Sequence, residues 1–411
     1  MRVFAEHIGP PHLINKTYAT AIANNPHNPQ LTLEQTMASQ PYAAELSLAL
    51  AAVHNASILT KSVLRSLKNH VSAETKADDS PVTIADFAAQ ALLISAIHAV
   101  YPNDQFLGEE SADALRSNAP LADRVWELVQ RAQSLHAERT QNEALQGAQT
   151  LAFPASKEEM FELIDRGGKG EQTATGRVWV MDPVDGTATF MQGQQYAVCL
   201  CLLVDGKQAV GVIGCPNLAF DVEGPLGQSR VHEDLVDEDD FGVLLSATKG
   251  QGTFIRRMSE RAWGDARKID LSELPEKNLE DLNFVESTIG KTSLSQEEHK
   301  AVCEQLGARW PGTVIWAQQV KHVALALGST DVMVRIPKTV DRFTCVWDHA
   351  GGHLLYTEAG GLIKDFNGGD VDFAQGRHIA GERNYGMIAA LPSVFEKVER
   401  AVKDVLARRQ Q

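Results

Sequence analysis

The sequence predicts a layered α/β protein of the α+β kind. Three observations carry that expectation. Apolar residues recur at helical spacing in the first third, strand-like segments cluster in the middle around an Asp-Gly turn, and strands alternate with helices in the last third. The chain has 411 residues, enough for two or three domains at roughly 150 residues each, or for one composite domain with a large core.

Residues 1 to 40 are rich in Pro, Asn, Thr and Ala, carry few charges and show no sustained period, so they read as an N-terminal extension. Their scarcity of acids is compatible with a mitochondrial presequence, but Arg2 and Lys16 alone make a poor one. From Tyr42 the pattern is helical, with Leu46, Leu50 and Val53 on one face and continuation to Leu67. A second helix is predicted from Ile84 to Val100, ending before the Pro102-Asn103 turn. Helical stretches follow at Ala122 to His136 and at Lys157 to Arg166, the latter stopped by Gly167-Gly168. Strands are predicted at Arg177 to Met181, in a hairpin from Ala197 to Gly214 turning at Asp205-Gly206, and near Gly242 to Ala247 and Gly252 to Ile255. Beyond them, strands near Asn283 to Glu286 and Asp331 to Ile336 alternate with helices at Gln296 to Leu306, Val320 to Leu327, Asp348 to Ala359 and Pro392 to Ala407. There is no repeat of solenoid period.

Composition narrows the function. With 44% hydrophobic and 22% charged residues, the chain is that of a globular protein. Its 38 Lys and Arg against 53 Asp and Glu give a net charge of −15, which disfavours a nucleic-acid polymer as partner. A small anion remains acceptable if a metal ion reverses the local field. The five cysteines form no CxxC pair and no zinc spacing, which implies a reducing compartment, with the cytoplasm as the expected location. Apolar runs such as Ala197 to Val204 are too short to span a bilayer, so no membrane partner is expected. The acidic run from Glu233 to Asp240 reads as a solvated loop.

The strongest chemical signal is Trp179-Val-Met-Asp182-Pro183-Val184-Asp185-Gly186-Thr187. A strand ends in an acid, Pro turns the chain, a second acid follows, and Gly-Thr opens a helix. Asp182 and Asp185 on such a turn can converge on a hard cation, which prefers oxygen ligands, and the Val184 carbonyl can add another. The N–H groups at Gly186 and beyond would offer an anion site beside it. An Asp-capped helix is the plain alternative. Three further blocks place acids at element boundaries: Gly108-Glu109-Glu110, the segment from Asp78 through Thr83 to Asp86, with Thr83 as an N-cap, and Trp347-Asp348-His349. Each alone reads as ordinary surface polarity or capping. Four together are what a carboxylate site for several metal ions needs.

These blocks, in this order, resemble the metal-dependent, lithium-sensitive phosphatases of the inositol monophosphatase superfamily. The phrases Ser80-Pro-Val-Thr-Ile-Ala-Asp86-Phe-Ala-Ala-Gln90, Gly193-Gln-Gln-Tyr-Ala-Val-Cys199, Gly214-Cys-Pro-Asn217 and Trp347-Asp-His349 with Glu358-Ala-Gly-Gly361 are similar to its long form, the 3′(2′),5′-bisphosphate nucleotidases, as is the spacing of about 70 residues between Glu109 and Asp182. The resemblance covers roughly residues 42 to 405 and implies alternating αβαβα layers. It also implies an N-terminal α+β half over 41–190 with an elaboration over 112–176, and a C-terminal α/β half over 191–411. A monomer is the expectation by analogy. Carried over residue by residue, Glu109, Asp182, Asp185, Asp348 and the Val184 carbonyl would bind two or three Mg²⁺ ions. Asp86 and Thr187 would activate the attacking water, and Gly186 and Thr187 would hold the scissile phosphate. Ions about 4 Å apart suit in-line displacement at phosphorus, which needs no Cys, Ser or His nucleophile. His349, beside Asp348, reads as a structural hydrogen-bonding residue.

The resemblance also implies substrate contacts at Ser293, Lys321 and Arg335, and here the sequence departs from the nucleotidase pattern. Ala188-Thr189 stands where a Lys-Gly pair follows the Asp block. Thr292 replaces a His, Ala317-Gln318 an Asp-Ser pair, and Thr344-Cys345 a Glu-Lys pair. The expected activity is hydrolysis of adenosine 3′,5′-bisphosphate to AMP. An inositol polyphosphate or sugar phosphate is the alternative substrate within the same chemistry, and a non-catalytic nucleotide-phosphate sensor is the alternative outside it.

Overall fold

In the computed structural model, described over residues 40–69, 81–141, 149–171, 174–287 and 293–410, seven strands form one continuous sheet in chain order. They are β1 (Gln105–Gly108), β2 (Arg177–Asp185), β3 (Ala197–Val204), β4 (Lys207–Cys215), β5 (Val243–Thr248), β6 (Gly252–Arg257) and β7 (Arg267–Ile269). β1 is parallel to β2, and every later pair is antiparallel. The hairpin from β3 to β4 turns on Asp205 and Gly206, at φ of 48° and 75°, the left-handed pair that a two-residue turn of matching twist requires.

Alternation sorts the buried side chains of this sheet to two faces. Val178, Val180, Cys199, Cys201 and Ile213 pack in one core with α8 (Gln318–Ala326) and α9 (Ala350–Glu358). Trp179 points the other way, where its indole N–H donates to Asp104 at 2.8 Å. That second face is covered by α1 (Ala43–Asn69), α2 (Pro81–Val100), α4 (Ala119–Gln141) and α5 (Lys157–Gly168), with the single-turn α3 (Asp113–Ser117) ahead of α4. Close packing explains two glycines of β4: a Cβ at Gly211 would lie 3.2 Å from the Gly351 carbonyl of α9, and one at Gly214 would lie 2.3 Å from Ser57 of α1.

Beyond α8 and α9 lies a smaller antiparallel sheet, in the order β10 (Val332–Arg335), β14 (Met387–Ala390), β12 (Leu362–Lys364). Its outer face packs with α7 (Gln296–Leu306) and α10 (Pro392–Ala407) around Phe284, Val334, Ile388 and Val398. The layers therefore run α, β, α, β, α, as expected. Two ribbons complete the fold, β8 (Val285–Glu286) with β9 (Thr313–Val314), and β11 (Phe343–Cys345) with β13 (His378–Ala380). Residues 44–411 form one compact unit. The segment Ala43–Ser66 is long and apolar enough to cross a membrane by length and composition, and most of its apolar window is buried in the protein.

Several boundaries differ from the sequence reading. α2 begins at Pro81, so Thr83 lies in its first turn and is not its N-cap. α5 runs through Gly167 and Gly168 because both are needed for close approach. A Cβ on Gly168 would lie 2.0 Å from the Glu110 carbonyl oxygen. β2 does not turn at Pro183 but stays extended to Asp185. Asp348 ends a 3₁₀ turn, Val346–Asp348, with α9 starting after it. The extension over residues 1–39, the Asp78–Ser80 segment and Thr292 lie outside the described residues.

Candidate functional site

The strand period aims three acids at one place. Leu107 of β1 and Val178 and Val180 of β2 face the α8 and α9 layer, so Glu109 and Asp182, two residues further along, face it too. Asp185 sits three positions past Asp182, which a regular strand would turn to the opposite face. The register shows why it does not: Asp182 pairs with Cys199 and Asp185 with Ala197, three steps against two. This β-bulge at Pro183 and Val184 resets the alternation and interrupts the ladder at the Val184 carbonyl. Asp185 then receives backbone N–H bonds from Gln318 at 3.0 Å and Gln319 at 2.6 Å, at the start of α8.

Asp86 comes from the opposite layer. Its partner one helical turn on, Gln90, is buried and clamps the Glu109-Glu110 turn: its amide donates to the carbonyls of Glu110 (2.6 Å) and Ile164 (2.9 Å), and Glu110 N–H donates back at 3.0 Å. Gly108 makes room, since a Cβ there would lie 2.6 Å from the Gln90 amide oxygen. Arg377 staples the same turn to the C-terminal block. Its guanidinium donates to the carbonyls of Gly108 (2.7 Å) and Gly167 (3.0 Å) and lies over the Trp347 ring at 4.7 Å. Gln319 makes a second tie, donating to the Trp347 carbonyl at 2.6 Å and accepting from Gly352 N–H at 2.7 Å.

Gly186 adopts φ of 94°, and a Cβ there would lie 2.7 Å from Ala317, so glycine is required twice over. It opens a short helix, α6 (Thr187–Met191), which packs against α2, the helix of Asp86. Thr187 stands exposed at its start. Thr189, one of the departures from the nucleotidase pattern, is buried, and its hydroxyl lies 2.8 Å from the Gly186 carbonyl and 2.7 Å from that of Gln195, locking the loop. Glu233, read in the sequence as part of a solvated run, is instead buried. It accepts from the backbone N–H of Trp316 at 2.5 Å and of Gln195 at 3.3 Å, joining this loop to the approach to α8.

Asp348 accepts from the Thr344 hydroxyl at 3.4 Å, and that hydroxyl also lies 3.0 Å from His349 Nε2. His349 is fully buried and meets His322 through its other ring nitrogen at 3.3 Å, as expected for a structural histidine.

Electrostatics ties the acids into one basin. Burial raises Asp182 well above the carboxylate range, and Glu109, Asp185, Asp348 and Asp86 raise it further. Asp86 is lifted in the same way by burial, then by Glu110 and Glu109. Asp185 is pushed up to about 7 by burial and Asp348, against the Gln319 and Gln318 N–H groups and Lys321. Glu109 stands at the exposed rim, yet desolvation of its carboxyl, then Glu110, Asp348 and Asp185, raise it to about 7. Buried oxygens Asp86 Oδ1 and Asp182 Oδ1 have no hydrogen-bond partner. An all-oxygen basin of mutually repelling acids with unpartnered buried oxygens suits a hard divalent cation. Among the described residues no three His, Cys, Asp or Glu side chains close into a finished cage.

Of the expected substrate contacts, Lys321 is buried, lies 3.4 Å from the Gln318 amide oxygen, and is lowered to about 8 by burial and by Arg335. Arg335 donates to that same oxygen. Ser293 lines a pocket with Arg335 and Thr344, the residue that donates to Asp348. Arg377 and Gln319 escaped the sequence reading, Gln90 entered it only as the end of the phrase that carries Asp86, and Glu233 was read as solvated. Each is a single polar residue whose partners are distant in sequence, and only the weak cue of an i, i+4 partner to Asp86 pointed to Gln90.

The inositol monophosphatase family model matches residues 131–397, which include Asp182, Asp185 and Asp348. The 3′(2′),5′-bisphosphate nucleotidase of Schizosaccharomyces pombe is 37% identical over 371 residues, covering 89% of this chain and 96% of its own. That of Emericella nidulans is 39% identical over 366 residues, covering 89% and 99%. Among solved structures, an inositol monophosphatase from Zymomonas mobilis superposes with a TM-score of 0.52 at 16% identity, over 89% of this chain and 99% of that one, a likeness of fold.

Proposed function

This chain belongs to the inositol monophosphatase family of phosphomonoester hydrolases, and we propose that it is a Mg²⁺-dependent 3′(2′),5′-bisphosphate nucleotidase converting adenosine 3′,5′-bisphosphate to AMP and phosphate. The observation that carries the metal-dependent chemistry is the basin of acids with unpartnered oxygens on Asp86 and Asp182. The names and long coverage of the two fungal relatives support the substrate.

In this reading Glu109, Asp182, Asp185, Asp348 and the Val184 carbonyl hold the ions. When bound, divalent cations supply neutralisation of phosphoryl charge and acidification of water. The chain's own residues do the rest. Asp86, backed by Thr187, accepts the proton of the attacking water, a role favoured by a carboxyl whose proton affinity is raised by burial. The N–H groups of Gly186 and Thr187 hold the scissile phosphate, in a loop whose shape Thr189 fixes. Lys321 and Arg335 bring positive charge to the other side of Asp185.

Phosphate release from a panel of substrates with Mg²⁺ tests the proposal. Turnover of adenosine 3′,5′-bisphosphate is expected, with inhibition by LiCl. No release from it alongside turnover of inositol 1,4-bisphosphate would move the assignment to the sister activity, which the replacement of a Glu-Lys pair by Thr344-Cys345 favours.

A further inference from the structure

Two fully buried histidines meet beside Asp348. His322 of α8 and His349, just ahead of α9, stand edge to face, with ring centroids 5.6 Å apart and planes at 83°. Gly352 permits the approach of the two helices, since a Cβ there would lie 2.5 Å from the His322 Cβ. The contact is one link of a longer row. His322 Nε2 lies 3.3 Å from His349 Nδ1, His349 Nε2 lies 3.0 Å from the Thr344 hydroxyl, and that hydroxyl lies 3.4 Å from Asp348 Oδ2. Burial pushes both rings well below the usual histidine range, so each carries a single ring proton at neutral pH.

Each link needs one donor and one acceptor, so the whole row runs in one direction. An ion-holding carboxylate at Asp348 can only accept. The Thr344 hydroxyl therefore donates to it and accepts from His349 Nε2–H, and His349 Nδ1, left without a proton, accepts from His322 Nε2–H. The far end of the row agrees. His322 Nδ1 is buried without a partner. In this direction it is a bare acceptor; in the reverse direction it would be an N–H with nothing to donate to, the rarer kind of orphan in protein interiors. Resting on the reading in which Asp348 holds an ion, we infer that the row is a positioning device for the metal site. Thr344, oriented by His349 and His322, fixes one carboxylate oxygen of Asp348 and leaves the other for the ion. The Glu that the nucleotidase pattern has in place of Thr344 could, when ionised, only accept, so this device comes with the chain's own departure from that pattern.

The test uses the full chain and two readouts besides turnover: the rise in melting temperature as MgCl₂ is titrated, and the two-bond ¹⁵N–¹H pattern of the histidine rings. Thr344→Val keeps the shape of a half-exposed side chain and removes its hydroxyl. It is expected to raise the Mg²⁺ concentration for half-maximal thermal stabilisation and for half-maximal turnover about fivefold, with kcat at saturating Mg²⁺ within twofold. Thr344→Ser, which keeps the hydroxyl, should return both to the wild-type value. The ring pattern should be Nε2–H at His322 and His349. His299 serves as the internal contrast, because its Nε2 accepts the Ile336 N–H at 2.9 Å and its proton therefore sits on Nδ1, 2.8 Å from Glu286. A Mg²⁺ requirement in Thr344→Val equal to that of the wild type, while Asp348→Asn raises it about tenfold or more, overturns the positioning role and leaves the metal site standing. An Nδ1–H pattern at His322 or His349 overturns the direction of the row, and the inference with it. A wild type indifferent to Mg²⁺, or an Asp348→Asn variant with an unchanged requirement, overturns the reading of Asp348 as an ion holder on which the inference rests.

Discussion

Two sets of buried carboxylates in this molecule are built on opposite terms. Outside the basin Asp104, Asp331 and Asp365 are matched. Asp104 accepts from the Arg177 guanidinium at 2.9 Å and from Trp179, and Asp331 accepts from Lys277 at 2.8 Å and from Asn283 N–H at 2.8 Å. Asp365 accepts from the N–H groups of Asn367 (3.0 Å) and Gly369 (2.7 Å) and from the Asn384 amide at 2.9 Å. Inside the basin, Asp182 and Asp86 carry buried oxygens with no donor, and their neighbours are other acids. Burial of a carboxyl costs stability unless donors replace the lost water. The matched set contributes to folding, and the unmatched set is held against its own repulsion by Gln90, Arg377 and Gln319.

The comparison breaks most directly at Asp182. Asp182→Asn should lower turnover about a thousandfold, while thermal melts in chelator show an unchanged or higher melting temperature, because a repelled buried carboxylate has gone. Unchanged turnover would remove Asp182 from the ion-holding set. The converse substitution is Asp331→Ala, which leaves Lys277 and the Asn283 N–H unpaired and should cost about 3 kcal/mol in denaturant unfolding, with near-normal activity per folded molecule.

Between these extremes, Thr189→Gly would place the family's residue type at this position and remove the hydroxyl that ties Gly186 to Gln195. A loss of about 1 kcal/mol and a several-fold drop in kcat are expected from melts and initial rates. A graded effect, read only as the pH falls, comes from His54, which is buried against Trp263, with Nε2 at 2.8 Å from the Ser259 carbonyl. Burial lowers its pKa from 6.5 to about 4, so between those values the unfolded chain carries a proton that the native chain does not. Its contribution is therefore complete above pH 6.5 and is lost as the pH falls to 4, by about 3 kcal/mol at the limit. Unfolding measured at pH 7, 6 and 5 should show a shallower decline in His54→Gln than in the wild type.

The sequence made the acids legible because each stands at an element boundary or, for Asp86, within two turns of one, inside a dense motif. Asp182, Asp185, Glu109, Asp86 and Asp348 were all found that way, as was the Asp205-Gly206 hairpin. What holds the acids together was not legible. Arg377 lies 269 positions from Gly108, whose carbonyl it caps, and no local period announces such a contact. Glu233 was hidden in an acidic run whose composition speaks for solvent, although one member of the run turns inward. Gly167 and Gly168 looked like a helix stop because the neighbouring Glu110 backbone that demands them is remote. Short strands such as β12 and β13, three residues each, are too brief for alternation to register.

The bulge at Pro183 and Val184 makes the number of residues in this segment as constrained as their identity. A single-residue deletion there would restore even pleating and keep Asp185 on the face of Asp182, two positions on, but it would abolish the bulge and return its interrupted carbonyl to the ladder. All the acidic side chains would survive such a change, and a residue-by-residue comparison would score it as mild. The bulge and the carbonyl it frees would be what failed, and relatives of this chain should therefore tolerate substitution within Pro183-Val184 far more readily than any change in length.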